Sequence, residues 1–421
     1  MDPHPAGVNW AGNHAYRATH LHRPTSLEQL QDVIVGASSV HVLGSRHSFT
    51  GIADADELIS LEAMRSEEEP VSVDTAARTV SVDGALRYGD LFARLDDEGV
   101  ALHNLASLPH ISVVGAVATA THGSGVTNGN LATAVAALEV VTSGGEVVRV
   151  SRGHPDFPGV VVGLGALGVV TRIALDVQPA FDVRQRVFEG LGWDTLAGHF
   201  DEIVSCGYSV SVFTRWQDRV DQVWVKSRTD EPERADLFDA RPATVDRHPI
   251  LGLDAASCTP QLGRPGRWSD RLPHFRMGFT PSAGEEIQSE YLLPREHATA
   301  AVDAVRGLAH RIRPILLVTE IRTVAADDLW LSTSSGCDSV AIHFTWRPVQ
   351  DQVEELLPDL EAALAPFDAR PHWGKLFAAD ATALAPLYPR HADFVGLVER
   401  LDPRGAFRNE WLDARVLGGI R

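Results

Sequence analysis

Two short segments of alternating character carry the side chains best suited to acid–base and hydrogen-bonding chemistry. From Val318 to Val324, Glu320 and Arg322 stand two residues apart, and from Val340 to Trp346, His343 and Thr345 are spaced likewise. Successive strand side chains point to opposite faces, so each pair shares one face while Ile321, Ile342 and Phe344 take the other. A carboxylate, a guanidinium, an imidazole and a hydroxyl, with Lys375 further along, supply the mixed donors and acceptors that a hydroxyl-rich substrate needs. Taken alone, the charged pair also fits a solvated strand face, and His343 a satisfied core histidine.

A second group of motifs suits an anion. Gly44-Ser45-Arg46-His47-Ser48-Phe49 follows the short apolar run Val40–Leu43, where a tight turn can aim backbone N–H groups at a phosphate, although a plain strand-to-loop turn reads equally well. The segment Ser107 to Gly125 is built of small residues, hydroxyls and glycine, with too little bulk for an ordinary core segment. Short side chains let backbone approach a ligand, and hydroxyls with N–H groups suit a diphosphate. Gly163-Leu164-Gly165-Ala166-Leu167-Gly168 has the dinucleotide fingerprint as a string. A strand-like run, Val169 to Val177, follows it where that fold needs a helix, so a nicotinamide site is rejected.

The elements that must position these residues are legible in outline. Ser26 and Gln29 have capping-box spacing ahead of Leu27, Leu30, Val33 and Ile34, which predicts a helix; Tyr88 to Glu98 predicts another, stopped by Gly99. Leu138–Thr142 and Glu146–Val150 flank Ser143-Gly144-Gly145 as a hairpin. Strands such as Tyr208–Phe213 and Val223–Val225 open a second, more aromatic region after Ala180, and 228–249 reads as a surface excursion within it. A chain of 421 residues has room for two or three domains, and 44% hydrophobic with 22% charged residues marks an ordinary globular protein. The net charge of −19 opposes nucleic-acid binding, and no apolar run is long enough for a membrane span. Cys206, Cys258 and Cys337 are few, distant and not in metal spacing, and the first 21 residues lack a secretion-type apolar stretch. A cytoplasmic, metal-free monomer is expected. A zinc hydrolase is disfavoured because the 18 histidines include no His-Glu-x-x-His.

The His47 turn, the Ser107–Gly125 segment and Asp402-Pro403-Arg404-Gly405-Ala406-Phe407-Arg408-Asn409 together resemble the vanillyl-alcohol-oxidase type of FAD-dependent oxidoreductases. Thr319-Glu320-Ile321-Arg322-Thr323, His343-Phe344-Thr345-Trp346 and Arg370-Pro371-His372-Trp373-Gly374-Lys375 resemble the alditol (xylitol) oxidases within it, and the match runs from Asn9-Trp10-Ala11-Gly12-Asn13 over nearly the whole chain. The resemblance implies an α+β, two-domain flavoprotein. Residues 1–179 would form an FAD-binding domain of the PCMH type, 180–375 a substrate-binding cap on a mixed or antiparallel sheet, and 376–421 a segment returning to the FAD domain. It implies that Val42, Leu43, Gly44, Ser45, Arg46, His47, Ser48, Ser107, Ser112, Gly115, Ala116, Val117, Ala118, His122 and Val170 line FAD, with the ring of His47 bonded to the flavin 8α-methyl carbon. The family pattern has Gly where this chain has Arg46. The implied reaction oxidises a terminal CH2OH of a linear polyol such as xylitol or sorbitol by hydride transfer to flavin N5, with O2 reduced to H2O2. His343 is expected as base and Lys375 beside the developing alkoxide. Glu320 and Arg322 would hold neighbouring hydroxyls, and Ser107 and Thr345 the rest. A sugar-lactone oxidase or dehydrogenase of the same flavin family, and a polyol-binding protein without turnover, are the alternatives.

Overall fold

The computed structural model describes residues 7–65, 69–279 and 285–419. Near the N-terminus, β1 (His20–His22), β2 (Val40–Val42) and β3 (Glu57–Ile59) form a parallel sheet with β3 central. Helix α1 (Leu27–Gly36) connects the first two strands. It starts where expected because Ser26 Oγ accepts from the Gln29 N–H, while the Gln29 side chain reaches back one residue further, to the Thr25 N–H. Leu30 and Ile34 bury its inner stripe against Val40, Ile59 and Val141.

Beside it stands an antiparallel sheet of β4 (Val71–Asp74), β5 (Thr79–Asp83), β7 (Val135–Val141), β8 (Val147–Ser151) and β9 (Val169–Asp176), in the order β4-β5-β9-β7-β8. The β7–β8 turn uses Gly145 at φ +79°, a left-handed conformation that favours glycine. Helix α2 (Tyr88–Asp97) buries Tyr88, Leu91 and Leu95 and ends before Gly99, also left-handed. The short strands β6 (Val100–Ala101) and β10 (Gln178–Pro179) pair with each other. A short helix, α3 (Val113–Ala118), forms within the small-residue segment.

The third sheet has nine strands, every pair antiparallel. They are β11 (Asp182–Leu191), β12 (Ser209–Thr214), β13 (Val220–Arg228), β14 (Arg241–Pro242), β15 (Gly266–Arg267), β16 (Ile287–Pro294), β17 (Leu316–Val324), β18 (Ser339–Trp346) and β19 (Arg370–Pro371). The path runs β14-β11-β13-β12-β17-β18-β16-β19, with β15 against β11. Val210, Val212, Ile321, Ile342 and Phe344 join Val302, Val305, Leu356 and Leu360 in one apolar core, so helices Ala298–Gly307 and Gln350–Leu364 cover that side. The 228–249 stretch is not wholly a surface excursion. It returns as β14 to the sheet edge, Leu237 is fully buried, and His248 and Pro249 reach the central cavity. Its apolar residues are too sparse for any periodicity to reveal this.

The C-terminal segment is stitched to the first sheet by polar groups. Asp402 accepts from the N–H groups of Ala406 and Phe407, both at 2.8 Å, and Val40 N–H donates to Ala406 O at 2.8 Å. Asn409 Nδ2 donates to the carbonyls of Ile52 and Asp54 at 3.0 and 2.8 Å. Among the described residues no helix is long and apolar enough to cross a membrane.

Candidate active site

Strand register assembles one wall. Glu290 faces His343 across β16–β18, His343 faces Glu320 across β18–β17, and Glu320 faces Phe213 across β17–β12. These four side chains form a row across the sheet, with Arg322 and Thr345 one step away along their strands. Glu290, Glu320, Arg322, His343 and Thr345 are all buried, so the pair that sequence alone could place on a solvated face lies inside.

Burial of charge requires partners, and they are present. Glu290 Oε1 accepts from an Arg322 terminal nitrogen at 2.6 Å, and Oε2 accepts from Lys375 Nζ at 2.5 Å. Burial alone would raise the Glu290 pKa, but the charges of Lys375 and Arg322, with His122 behind them, hold it well below the usual carboxylate range. Lys375 Nζ also lies 2.7 Å from His343 Nδ1, and His343 Nε2 lies 3.0 Å from Thr345 Oγ1. Burial and then the Lys375 charge pull His343 down to about 4, so its ring is neutral near pH 7. Lys375 is itself lowered by burial, with Glu290 opposing. Glu320 Oε1 pairs with His274 Nε2 at 2.8 Å, while Oε2 takes no partner from the described residues. Two carboxylates thus face Arg322 and the titratable Lys375, and one carboxylate oxygen is left for a ligand.

Lys375 reaches this wall because its segment is zipped onto β16. His372 N–H donates to Glu290 O and Leu376 N–H to Gln288 O, both at 2.9 Å. Phe49 N–H donates to Gly374 O at 2.9 Å, which ties the same segment to the His47 turn.

All the residues the sequence proposed for the site line one cavity of about 620 Å³: the 42–48 turn, Ser107, Ser112, Gly115 to Ala118, His122 and Val170, together with Glu320, Arg322, His343, Thr345 and Lys375. The part lined by the 42–48 turn, Ser112 and Gly115 to Ala118 fits a diphosphate-bearing cofactor, whereas His122 and Ser107 reach the charged wall, at Glu290 and the His274 segment. A Cβ on Gly44 or on Gly115 would stand 2.6 Å from Ser112 Oγ, so both glycines let the backbone pack close to that hydroxyl. The backbone N–H groups of Gly44, Ser45, His47 and Ser48 find no acceptor among the described residues. Arg46 sits at φ +61°, in the left-handed region that favours glycine. His47 stacks on Trp10 with centroids 5.3 Å apart and donates from Nδ1 to Ser45 O at 2.9 Å; burial lowers its pKa to about 4, leaving a neutral ring.

Sequence reasoning missed several lining residues. Glu290, the centre of the charge network, was signalled by polar residues at alternating positions, Glu286 just ahead of β16 and Gln288 and Glu290 within it. His274 and His372 arrive from loops and carried no periodic signal. The Gly163–Gly168 stretch leads into strand β9 and nevertheless lines the cavity, with Leu164 at φ +53°.

Fold and cavity together define an FAD-dependent oxidoreductase of the vanillyl-alcohol-oxidase type. An FAD-binding domain family matches residues 18–151, and the D-arabinono-1,4-lactone oxidase family matches residues 283–415. Alditol oxidase from Streptomyces sp. (strain IKD472 / FERM P-14339) is 50% identical over 97% of this chain and 98% of its own length, and the chain belongs to the alditol oxidase family. L-gulono-1,4-lactone dehydrogenase from Mycobacterium tuberculosis is 30% identical over 98% of this chain and 99% of its own length. The crystal structure of cholesterol oxidase from B. sterolicum shares the fold, with a TM-score of 0.80 over 97% of this chain and 96% of that one, at 14% identity.

Proposed function

We propose that the protein oxidises a terminal CH2OH of linear polyols such as xylitol and sorbitol, with O2 as acceptor and H2O2 as co-product. The observation that carries this reading is a cavity with a glycine- and hydroxyl-lined cradle and a wall of paired charges that leaves Glu320 Oε2 available. The relative named alditol oxidase supports it. Residues 1–179 and 376–421 form the FAD-binding part and 180–375 the cap. Val42 to Ser48, Ser107, Ser112, Gly115 to Ala118, His122 and Val170 hold FAD, and His47, neutral and oriented through Ser45 O, carries the covalent link to the flavin 8α-methyl carbon.

Bound FAD would supply a hydride acceptor and a route for the electron pair to O2. The chain's residues orient the substrate and manage its proton. Glu320 and Arg322 hold hydroxyls beyond the reacting carbon, with Ser107 and Thr345 completing the set, so binding energy remote from the reacting bond positions it. His343 takes the hydroxyl proton. A charged Lys375 occupies Nδ1 and leaves the hydrogen on Nε2, donated to Thr345. The accepting form therefore arises when Lys375 is neutral, Nδ1–H donates to it, and Nε2 is bare. The proton then passes through the ring to Lys375, and the charge that forms there steadies the negative charge left on the substrate oxygen, which stays bonded to carbon as the carbonyl oxygen.

Oxygen consumption and peroxide release with xylitol or sorbitol test the reading; no turnover of either polyol would overturn it. The lactone oxidase match over residues 283–415 favours one second reading, oxidation of a sugar lactone, which faster turnover of L-gulono-1,4-lactone than of xylitol would establish. Acid precipitation tests the covalent link. Flavin should remain with the pellet and appear in the supernatant for His47→Ala; flavin wholly in the supernatant of the unmutated protein refutes it.

A further inference from the structure

Lys226 lies on β13, outside the cavity lining and 1% exposed, and no carboxylate pairs with it among the described residues. A buried ammonium of this kind is costly, and burial pulls its pKa down to about 7. All three hydrogens are directed at one short segment: Leu272 O, Pro273 O at 3.1 Å and His274 Nδ1 at 3.0 Å. His274, packed edge-on between Phe213 and Trp224, is kept neutral by burial and then by the Lys226 charge, at about 4. A neutral imidazole has one hydrogen. In its protonated form Lys226 offers only donors, so Nδ1 accepts, and the hydrogen sits on Nε2, donated to Glu320 Oε1 at 2.8 Å. The opposite tautomer would set a lone pair against the carboxylate. The same segment also grips the facing wall, where His274 N–H and Phe275 N–H donate to Ser107 O at 3.1 and 3.2 Å.

We infer that Lys226 is a positioning residue for polyol binding: by fixing the tautomer and seat of His274 it sets the Glu320 carboxylate and the Ser107 backbone at the separation required by hydroxyls away from the reacting carbon. This rests on the polyol reading above. No packing need explains a lysine here, since methionine has a similar length and avoids burying a charge.

The test uses flavin-loaded Lys226→Met and His274→Phe, the latter keeping an aromatic ring between Phe213 and Trp224, with wild-type turnover of xylitol as the separate check on the polyol reading. Each variant should retain flavin content and lose about tenfold in kcat/KM for xylitol, mainly through KM, while propane-1,2-diol, which has no distant hydroxyls to place, changes by no more than about threefold. The double variant should be no worse than the poorer single one, because both act through one hydrogen-bonded chain. Equal losses for both substrates, unchanged xylitol KM, or additive losses would each overturn the inference. If Lys226→Met does not accumulate as holoenzyme, His274→Phe decides alone: normal discrimination between the two substrates refutes it.

Discussion

Each buried charge at the site answers a neighbour, so a single substitution there leaves a partner unpaired, and its chemistry is read on folded, flavin-loaded protein. Lys375 spends one hydrogen on Glu290 and one on His343. Lys375→Met should slow anaerobic flavin reduction by xylitol roughly a hundredfold, the scale seen when one preorganised donor is removed. The wild-type reductive rate should rise with pH as the Lys375–His343 pair gives up a proton, because only then is Nε2 free to accept, and the variant should lose that rise. Rapid mixing across pH checks both, and a wild-type rate that falls with rising pH counts against the base assignment.

At the scale of elements, the site is a consequence of strand register. Shifting β18 by one residue relative to β17 would turn His343 and Thr345 into the apolar layer and expose Ile342 and Phe344 to the cavity. The apolar face holds that register, which is why Trp346 stacking on Phe344 at 4.9 Å matters to residues on the opposite face. The C-terminal segment is held differently, by side-chain amide and carboxylate groups. Asn409 Nδ2 serves the carbonyls of Ile52 and Asp54, and Oδ1 accepts from Leu412 N–H at 2.8 Å. Asn409→Ala leaves those buried groups without partners and should cost about 2–3 kcal/mol, measured by urea denaturation of the holoenzyme. A change below about 0.5 kcal/mol would mean that the loop at 51–54 is held by other contacts.

Across the whole molecule, buried histidines set the acid limit. His41, His274 and His343 each have a folded pKa near 4, chiefly through burial, against about 6.5 when unfolded. Between those values the unfolded chain binds more protons, so stability falls as pH falls from about 6.5 toward 4. Asp327, raised by burial to about 6, and Glu361, also raised by burial, act in the opposite direction, but His47, His103, His248 and His372 are lowered by burial as well, so the histidines outnumber them. The melting temperature of the holoenzyme should therefore drop steadily below pH 6.5, and a flat profile down to pH 4.5 would contradict the neutral-histidine interior. The glycine- and hydroxyl-rich part of the cavity lining, the alternating strands and the Ser26 helix cap were legible in the chain because they depend on local chemistry: glycine where backbone must approach, Ser26 where N–H groups need an acceptor, period-two polarity where a strand has two environments. The same alternation could not say whether Glu320 and Arg322 meet water or a cavity. That was decided by tertiary structure, which closes the nine-stranded sheet against the FAD-side segments and brings Glu290, His274 and Lys375 from distant parts of the chain to neutralise and orient what the strands present. A buried carboxylate is tolerable only with such partners, and partners that come from loops leave no periodic trace in sequence.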